Sequence, residues 1–395
     1  MFTNRLFHQY QETILTESRG VFRRRISFFE GVALVGTLGA GILGIPYAVA
    51  RVGVALGTVY IIALGLLMMG LNLLMGEIMI RTGRHRQLAG LARVYLGRYG
   101  GWLMIAVNYS LLIGALLVYI IGVGETLSAL LGGSARLWST GFFLLGSLCV
   151  GVGIQTVKRA EILLLLGALS VIIFIVAISS PQVEFLNFTY INLAQALFPY
   201  GVILFALSGV NNIPEVYSLL GRNETLFKRV ITVAGLQTVF VYLIFTLVIV
   251  GVTGAATTQI ATLGLGQKVG PVVLFLGGLF AILAMSTSFL MVGLSLKDSL
   301  RWDFKVPNWL AVTIVCGLPF ALFQLGLRSF IATIDFVGGV FISTETLLVL
   351  LIYWRAKQKG DMPVGKYKLH HTTLLLILIP IAMAVGAVYS VVKLF

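Results

Sequence analysis

Charged residues are scarce in this sequence, at 11% of 395 positions, where a soluble domain would carry about a quarter. That shortage excludes an ordinary water-covered surface. Histidine is nearly missing as well. There are four, and none lies deeper in an apolar stretch than His371 at its first position, so the commonest proton-relay side chain is absent from the span interiors. The two cysteines, Cys149 and Cys316, both fall in apolar stretches and read as small buried hydrophobes, not as a disulfide or metal pair. No His/Cys metal cluster, no His-Glu-x-x-His and no serine elbow with plausible partners occurs. The sequence therefore reads as a non-enzyme that needs no cofactor.

Apolar length is what the chain has in quantity. Hydrophobic residues make up 58% of it, with a mean hydropathy of +1.01. Runs long enough to cross a bilayer, about twenty residues each, recur throughout. In lipid such runs must be helical, because nothing else satisfies their backbone groups. Eleven spans are predicted, at 30–53, 55–80, 101–131, 137–156, 160–180, 193–220, 229–252, 269–297, 307–327, 329–354 and 371–393. Residues 86–99 are helical in pattern but too polar to span, and read as an interfacial helix. The fold class expected is an all-α membrane protein.

The net charge of +14 does not indicate nucleic acid, because the basic residues lie in loops beside the spans. They alternate. The arm of residues 1–29, which shows no cleavable signal pattern, carries Arg5, Arg19 and Arg23 to Arg25. Every second loop after it is basic, ending with Arg355, Lys357, Lys359, Lys366 and Lys368, while the others hold single charges such as Arg51, Arg136, Lys268 and Arg328. Cationic loops stay inside. The N-terminus is expected in the cytoplasm, the C-terminus outside, and the protein in the cytoplasmic (plasma) membrane, as a monomer in the lipid bilayer.

Two spans are interrupted in the same way. GTLGAGILGIPYA (36–48) packs four glycines and a proline into thirteen residues, and SGVNNIPEVY (208–217) holds Gly209, two asparagines and Pro214. In an ordinary helix each Gly would cost about 1 kcal/mol and each Pro about 3. The segments share a spacing, Gly41-x-x-x-Ile45-Pro46 and Gly209-x-x-x-Ile213-Pro214, and each opens a five-span set. Matched interruptions point to a secondary transporter built from inverted repeats, with its site at the midplane. The plain alternative is that Gly and Pro only let membrane helices pack closely. A break frees N–H groups for a carboxylate and carbonyls for an ammonium or cation, so a zwitterionic amino acid fits both demands.

At these residues the chain resembles the amino acid/auxin permease family of the amino acid–polyamine–organocation superfamily. GAGILGIPYA (39–48) is similar to its first-helix signature, FALSGVNNIPEVYSLL (205–220) to its sixth, STSFLMVGLSLKD (286–298) to its eighth and VKRAE (157–161) to the start of its fifth. The resemblance covers about 28–393. It implies a LeuT-type five-plus-five inverted repeat with discontinuous helices 1 and 6, the first repeat over 30–180, the second over 193–354 and one extra span at 371–393. It also implies ion-coupled amino acid import. Carried over, Gly39, Ala40, Gly41 and Ile42 would offer backbone to the substrate carboxylate, with Thr37 at the start of the break. Phe205, Ala206 and Ser208, beside Gly209, would offer carbonyls and side-chain walls. Tyr119 is a carboxylate-touching hydroxyl or an ordinary packed aromatic. Thr287 and Ser288 form a sodium site with helix-one carbonyls, or bond back to their own helix.

The intramembrane acids divide. Glu77 either pairs with Arg81 one turn away or, as in related transporters, braces the unwound part of span six. Glu215 either caps the resumed half-helix or takes a proton. Glu125 and Asp335 are outer-gate candidates or are reaching water, and Glu345 is deeper and unexplained. Some proton-coupled relatives hold a lysine in mid-helix five, where this chain has Gly167 and Ala168. Elimination therefore favours sodium over a proton, with Glu77 and Glu215 as the acids in the proton case. Small residues at both breaks suit a neutral amino acid. A channel is disfavoured by two dissimilar breaks in single copy, whereas a non-transporting amino acid sensor on the same fold stays open.

Overall fold

The computed structural model describes residues 28–36, 39–83, 86–153, 156–220, 223–360, 365, 367, 369 and 372–393, without the side chains of 156–165 and 302–303. The described chain is helical, and no strand occurs among the described residues. The elements in order are α1 (28–35), α2 (Gly41–Val52), α3 (Val54–Thr82), α4 (Leu88–Leu131), α5 (Ala135–Val152) and α6 (Thr156–Ser179). Three short 3₁₀ turns then lead to α7 (Pro199–Leu207), a 3₁₀ turn at Val210–Asn212, α8 (Ile213–Leu220) and α9 (Glu224–Thr253). The remainder is α10 (Ala261–Val269), α11 (Pro271–Asp303), α12 (Asn308–Gln324), α13 (Phe330–Phe336), a π-helical turn Val337–Ile342, α14 (Ser343–Lys359) and α15 (Thr372–Val392).

Among the described residues, eight helices are long and apolar enough to cross a membrane, the broken unit Pro199–Leu220 counted as one. Three shorter apolar helices, Gly41–Val52, Leu166–Gln182 and Asn308–Gln324, accompany them. The periphery is made for lipid. On α5 only Ser139, Gly146 and Val150 are buried, while Leu144, Leu145 and Leu148 face outward with Leu374, Ile377 and Ile381 of α15. With no water to exclude at that surface, apolar side chains there cost nothing.

Three features depart from the expected spans. The polar stretch 86–99 and the third span form one helix, α4, bent at Gly97, whose φ of 79° is available to glycine and strained for other residues. The hydroxyls of Tyr95 and Thr82 pair at 2.8 Å and fix the short arm against α3. An extra helix, α10, precedes α11 where a loop was expected. The tenth span carries a π turn, a form that inserts one residue into the ladder and recurs at functional sites. It packs against a distant part of the chain: a Cβ at Gly338 would strike the Gly201 carbonyl, so the turn lies directly on the backbone of α7.

The interior is organised around α2 and α7, which cross at Gly41, where a Cβ would meet the Cα and Cβ of Ala206. Both ends of the bundle are tied by polar links. Lys393, just after α15, reaches Asp335 of α13 at 2.7 Å. At the other end Tyr367, fully buried, donates its hydroxyl to the Leu73 carbonyl at 3.1 Å, while its N–H bonds Glu224 at 3.0 Å. Burial pushes the Tyr367 phenol well above its usual range.

Candidate functional site

The first break lies between α1 and α2. Gly36 closes α1 on the Val32 carbonyl at 2.9 Å, and α2 restarts with Ala40 as N-cap, a residue without a side chain able to cap. The first N–H groups of α2 are therefore free of side-chain partners, at the end of the helix where partial positive charge accumulates. The second break lies between α7 and α8. The α7 helix ends at Ser208, whose N–H bonds the Phe205 carbonyl at 3.4 Å, and the chain turns through Gly209 into the 3₁₀ turn. There the free groups are carbonyls, the negative end of α7.

A cavity of about 420 Å³ opens between the two breaks, within the size range of small-molecule sites. Gly39, Ala40 and Gly41 line it from the first break, Phe205, Ala206, Ser208 and Gly209 from the second. Tyr119 of α4 and Thr287 and Ser288 of α11 line it too, so ten of the residues singled out in the sequence meet at one cavity. The exceptions are informative. Ile42 is fully buried and faces away from it, because one helical step turns its side chain into the core. Thr37 lies outside the described residues. The remaining wall is mostly apolar, with Leu111, Val171, Phe280 and Met291, and carries Asn211 and Asn212 as its polar members.

Three polar details shape what the wall can do. The Ala206 carbonyl already accepts the Tyr242 hydroxyl at 2.9 Å. The Tyr119 hydroxyl hydrogen-bonds the Ser288 side chain. Thr287 donates to the carbonyls of Leu283, 2.9 Å, and Ala284, 3.1 Å, in its own helix. That donation leaves its oxygen lone pairs open, so Thr287 and Ser288 still fit a hard cation that takes oxygen donors.

Among the glycines the structure makes a distinction that the sequence does not. A Cβ on Gly39 would meet nothing within 4 Å, whereas one on Gly41 would strike α7. Gly39 is the open approach to backbone, and Gly41 is a packing glycine that also reaches the cavity.

The acids lie apart from this wall. Glu77 is buried and accepts from Arg81 at 2.7 Å and from the Tyr353 hydroxyl at 3.3 Å. Among the described residues no hydrogen bond joins it to the break in span six. Glu215 is exposed in the first turn of α8, and Glu125 is partly buried near the end of α4. Glu345 is fully buried, and its Oε1 accepts from Asn108 of α4 at 2.9 Å and from Asn211 of the 3₁₀ turn at 3.0 Å. Asn108 also donates to the Asn211 side-chain oxygen at 2.9 Å. Sequence reasoning missed this triad, although the paired asparagines of SGVNNIPE were its visible part. Asn212, beside it, donates to the Leu34 carbonyl at 2.7 Å and links the two breaks. Among the described residues no group of three His, Cys, Asp or Glu side chains could hold a metal ion.

A search of curated proteins finds no match to this chain. The model of the tryptophan/tyrosine permease family, in contrast, matches residues 24–392. The match is not to the amino acid/auxin permeases that the motifs resemble, and what holds from that resemblance is the broader expectation of an amino acid permease. With its apolar helices, the match makes the protein a multi-pass membrane protein. The chain belongs to the tryptophan/tyrosine permease family, a family of amino acid transporters.

Proposed function

We propose that this protein is a secondary active transporter that imports a neutral aromatic amino acid together with a cation, by alternating access across the cytoplasmic membrane. The observation that carries this reading is the cavity between two helix breaks of opposite polarity. A substrate carboxylate would dock on the uncapped start of α2, at Gly39 to Ile42, and the ammonium on the carbonyl end of α7, at Phe205 and Ser208. The apolar wall and the Tyr119–Ser288 pair suit an aromatic ring and leave no fixed charge for a cationic or anionic side chain. The family's name, tryptophan/tyrosine permease, points to the same substrates.

Counting Gly41–Val52 with α1, and the other two short apolar helices, as spans gives eleven. They divide into repeats at 30–180 and 193–354 plus the span at 371–393. In this arrangement the arm of 1–29 is cytoplasmic and the C-terminus external, following the basic loops. The coupling cation is sodium at Thr287 and Ser288 or a proton. The test is uptake by the purified protein in liposomes, with tryptophan, tyrosine, phenylalanine, leucine, lysine and glutamate offered under separate sodium and proton gradients. Saturable uptake of the aromatic substrates is expected. Specific binding without uptake under either gradient would instead indicate a sensor.

A further inference from the structure

Glu345 is the most deeply buried acid in the described chain, and nothing in the transport reading uses it. Its carboxyl is 0% exposed and takes part in none of the three ion pairs among the described residues. One oxygen, Oε1, accepts from the side-chain amides of Asn108 and Asn211, and the other, Oε2, is buried with no hydrogen-bond partner. Several ionisable groups on the elements packed around it are engaged elsewhere. On α3, Glu77 binds Arg81 and the Tyr353 hydroxyl of α14. On α4, Tyr109 pairs with Ser299 at 2.6 Å, Tyr95 with Thr82 and Tyr119 with Ser288. Asp335 of α13 is held by Lys393, which also lies against the Tyr389 ring of α15. The π turn Val337–Ile342 and the 3₁₀ turn Val210–Asn212 carry no ionisable side chain.

A purely structural acid in this position would be expected to have a cation, as Glu77 does, because an unpaired charge buried in apolar surroundings is costly. Glu345 has amides instead, and one of those amides connects it to the interruption of span six. Asn211 lines the central cavity and sits in the 3₁₀ turn that interrupts span six. Its bond to an ionised carboxylate is charge-assisted, roughly twice as strong as the bond it would make to a neutral acid. Taking up a proton at Glu345 therefore weakens the hold on that turn, and releasing it restores the hold.

We propose that Glu345 is the proton-binding residue of the transport cycle, and that it signals its state to the substrate cavity through Asn211. The inference rests on the transporter reading above. One proton from the outer solution converts the Glu345 carboxylate to the neutral acid. It crosses with one amino acid and leaves to the inner solution, which regenerates the carboxylate. No other co-reactant is needed, and Asn108 is a positioning residue that holds the carboxyl toward Asn211.

The experiment uses the full chain in liposomes with an internal pH dye, an alkaline interior and tryptophan as substrate. Wild-type protein should accumulate tryptophan above the external concentration and carry protons inward with it. Glu345→Gln should keep tryptophan exchange and binding within about three-fold, but lose accumulation and the dye signal. Asn108→Leu, which does not line the cavity and removes one donor to the ionised form, should shift the pH of half-maximal uptake upward by about one unit. It also serves if Glu345→Gln fails to fold. An unshifted profile in Asn108→Leu, or accumulation and proton entry in Glu345→Gln equal to wild type, would overturn the proposal. So would wild-type accumulation that needs sodium and moves no protons, and that result would leave the transporter reading intact. If wild-type protein moved no amino acid under any gradient, the transporter reading itself would fall.

Discussion

The two breaks in this molecule share a sequence spacing and are built by different physics. The first is made of backbone. Gly36, Gly39 and Gly41 open it, no side chain caps the restart at Ala40, and Gly41 packs tightly against Ala206. The second is held by side chains. Asn212 donates to the Leu34 carbonyl, Asn211 to Glu345, and Tyr242 to the Ala206 carbonyl. The first break thus presents donors that only a ligand can use, while the second is held from three directions by groups whose bonds can change. A glycine break suits recognition of a carboxylate, and an asparagine break suits transmission.

That contrast is most severely tested where the two breaks touch. Gly41→Ala places a methyl against the Cα and Cβ of Ala206, and backbone cannot move aside as a side chain can. A destabilisation of about 2–3 kcal/mol is expected from overpacking, read as a lower thermal midpoint in detergent and a reduced folded yield. Wild-type stability would mean that α2 and α7 do not cross at this point.

A smaller effect is expected at the second break. Asn212→Ala deletes the bond to the Leu34 carbonyl and leaves that acceptor without its partner, a loss of about 1–2 kcal/mol. Because this bond joins the breaks, substrate affinity should fall together with stability. A change in stability alone would show that the breaks are independent. Tyr242→Phe is milder, at about 1 kcal/mol, since it removes one neutral hydroxyl donor and Ala206 lines the cavity, where another donor can approach. Unchanged or tighter ammonium-dependent binding is expected, measured by competition with a substrate analogue that lacks the amino group.

How much of this was legible in the sequence differs between the breaks. Gly/Pro content exposed the existence and position of both, because no uninterrupted helix tolerates GTLGAGILGIPYA well. The apolar runs likewise gave the helical class. The π turn at Val337–Ile342 was hidden, since its cause is the approach of Gly338 to Gly201, two residues far apart in the chain. The Asn108–Asn211–Glu345 triad was hidden for the same reason: its members come from three different helical units, and no spacing rule joins them.

The finest distinction lies within the first break, between two glycines two positions apart. Gly39 and Gly41 are equivalent in the motif, but a Cβ on Gly39 would enter open cavity while one on Gly41 would strike α7. The Gly39 backbone is not in the left-handed region, so alanine can adopt its conformation without strain. Gly39→Ala should therefore leave the thermal midpoint nearly unchanged, within about 0.5 kcal/mol of wild type. The new methyl, however, projects into the space where a carboxylate would approach the free N–H groups at the start of α2. Tryptophan binding should weaken about ten-fold, equivalent to roughly 1.4 kcal/mol, and the amide analogue of tryptophan, which lacks the carboxylate, should be far less affected. The same substitution two residues on reverses the pattern, with stability lost first. If Gly39→Ala binds tryptophan like wild type while folding normally, the start of α2 is not the carboxylate site, and the difference between the breaks is one of packing alone.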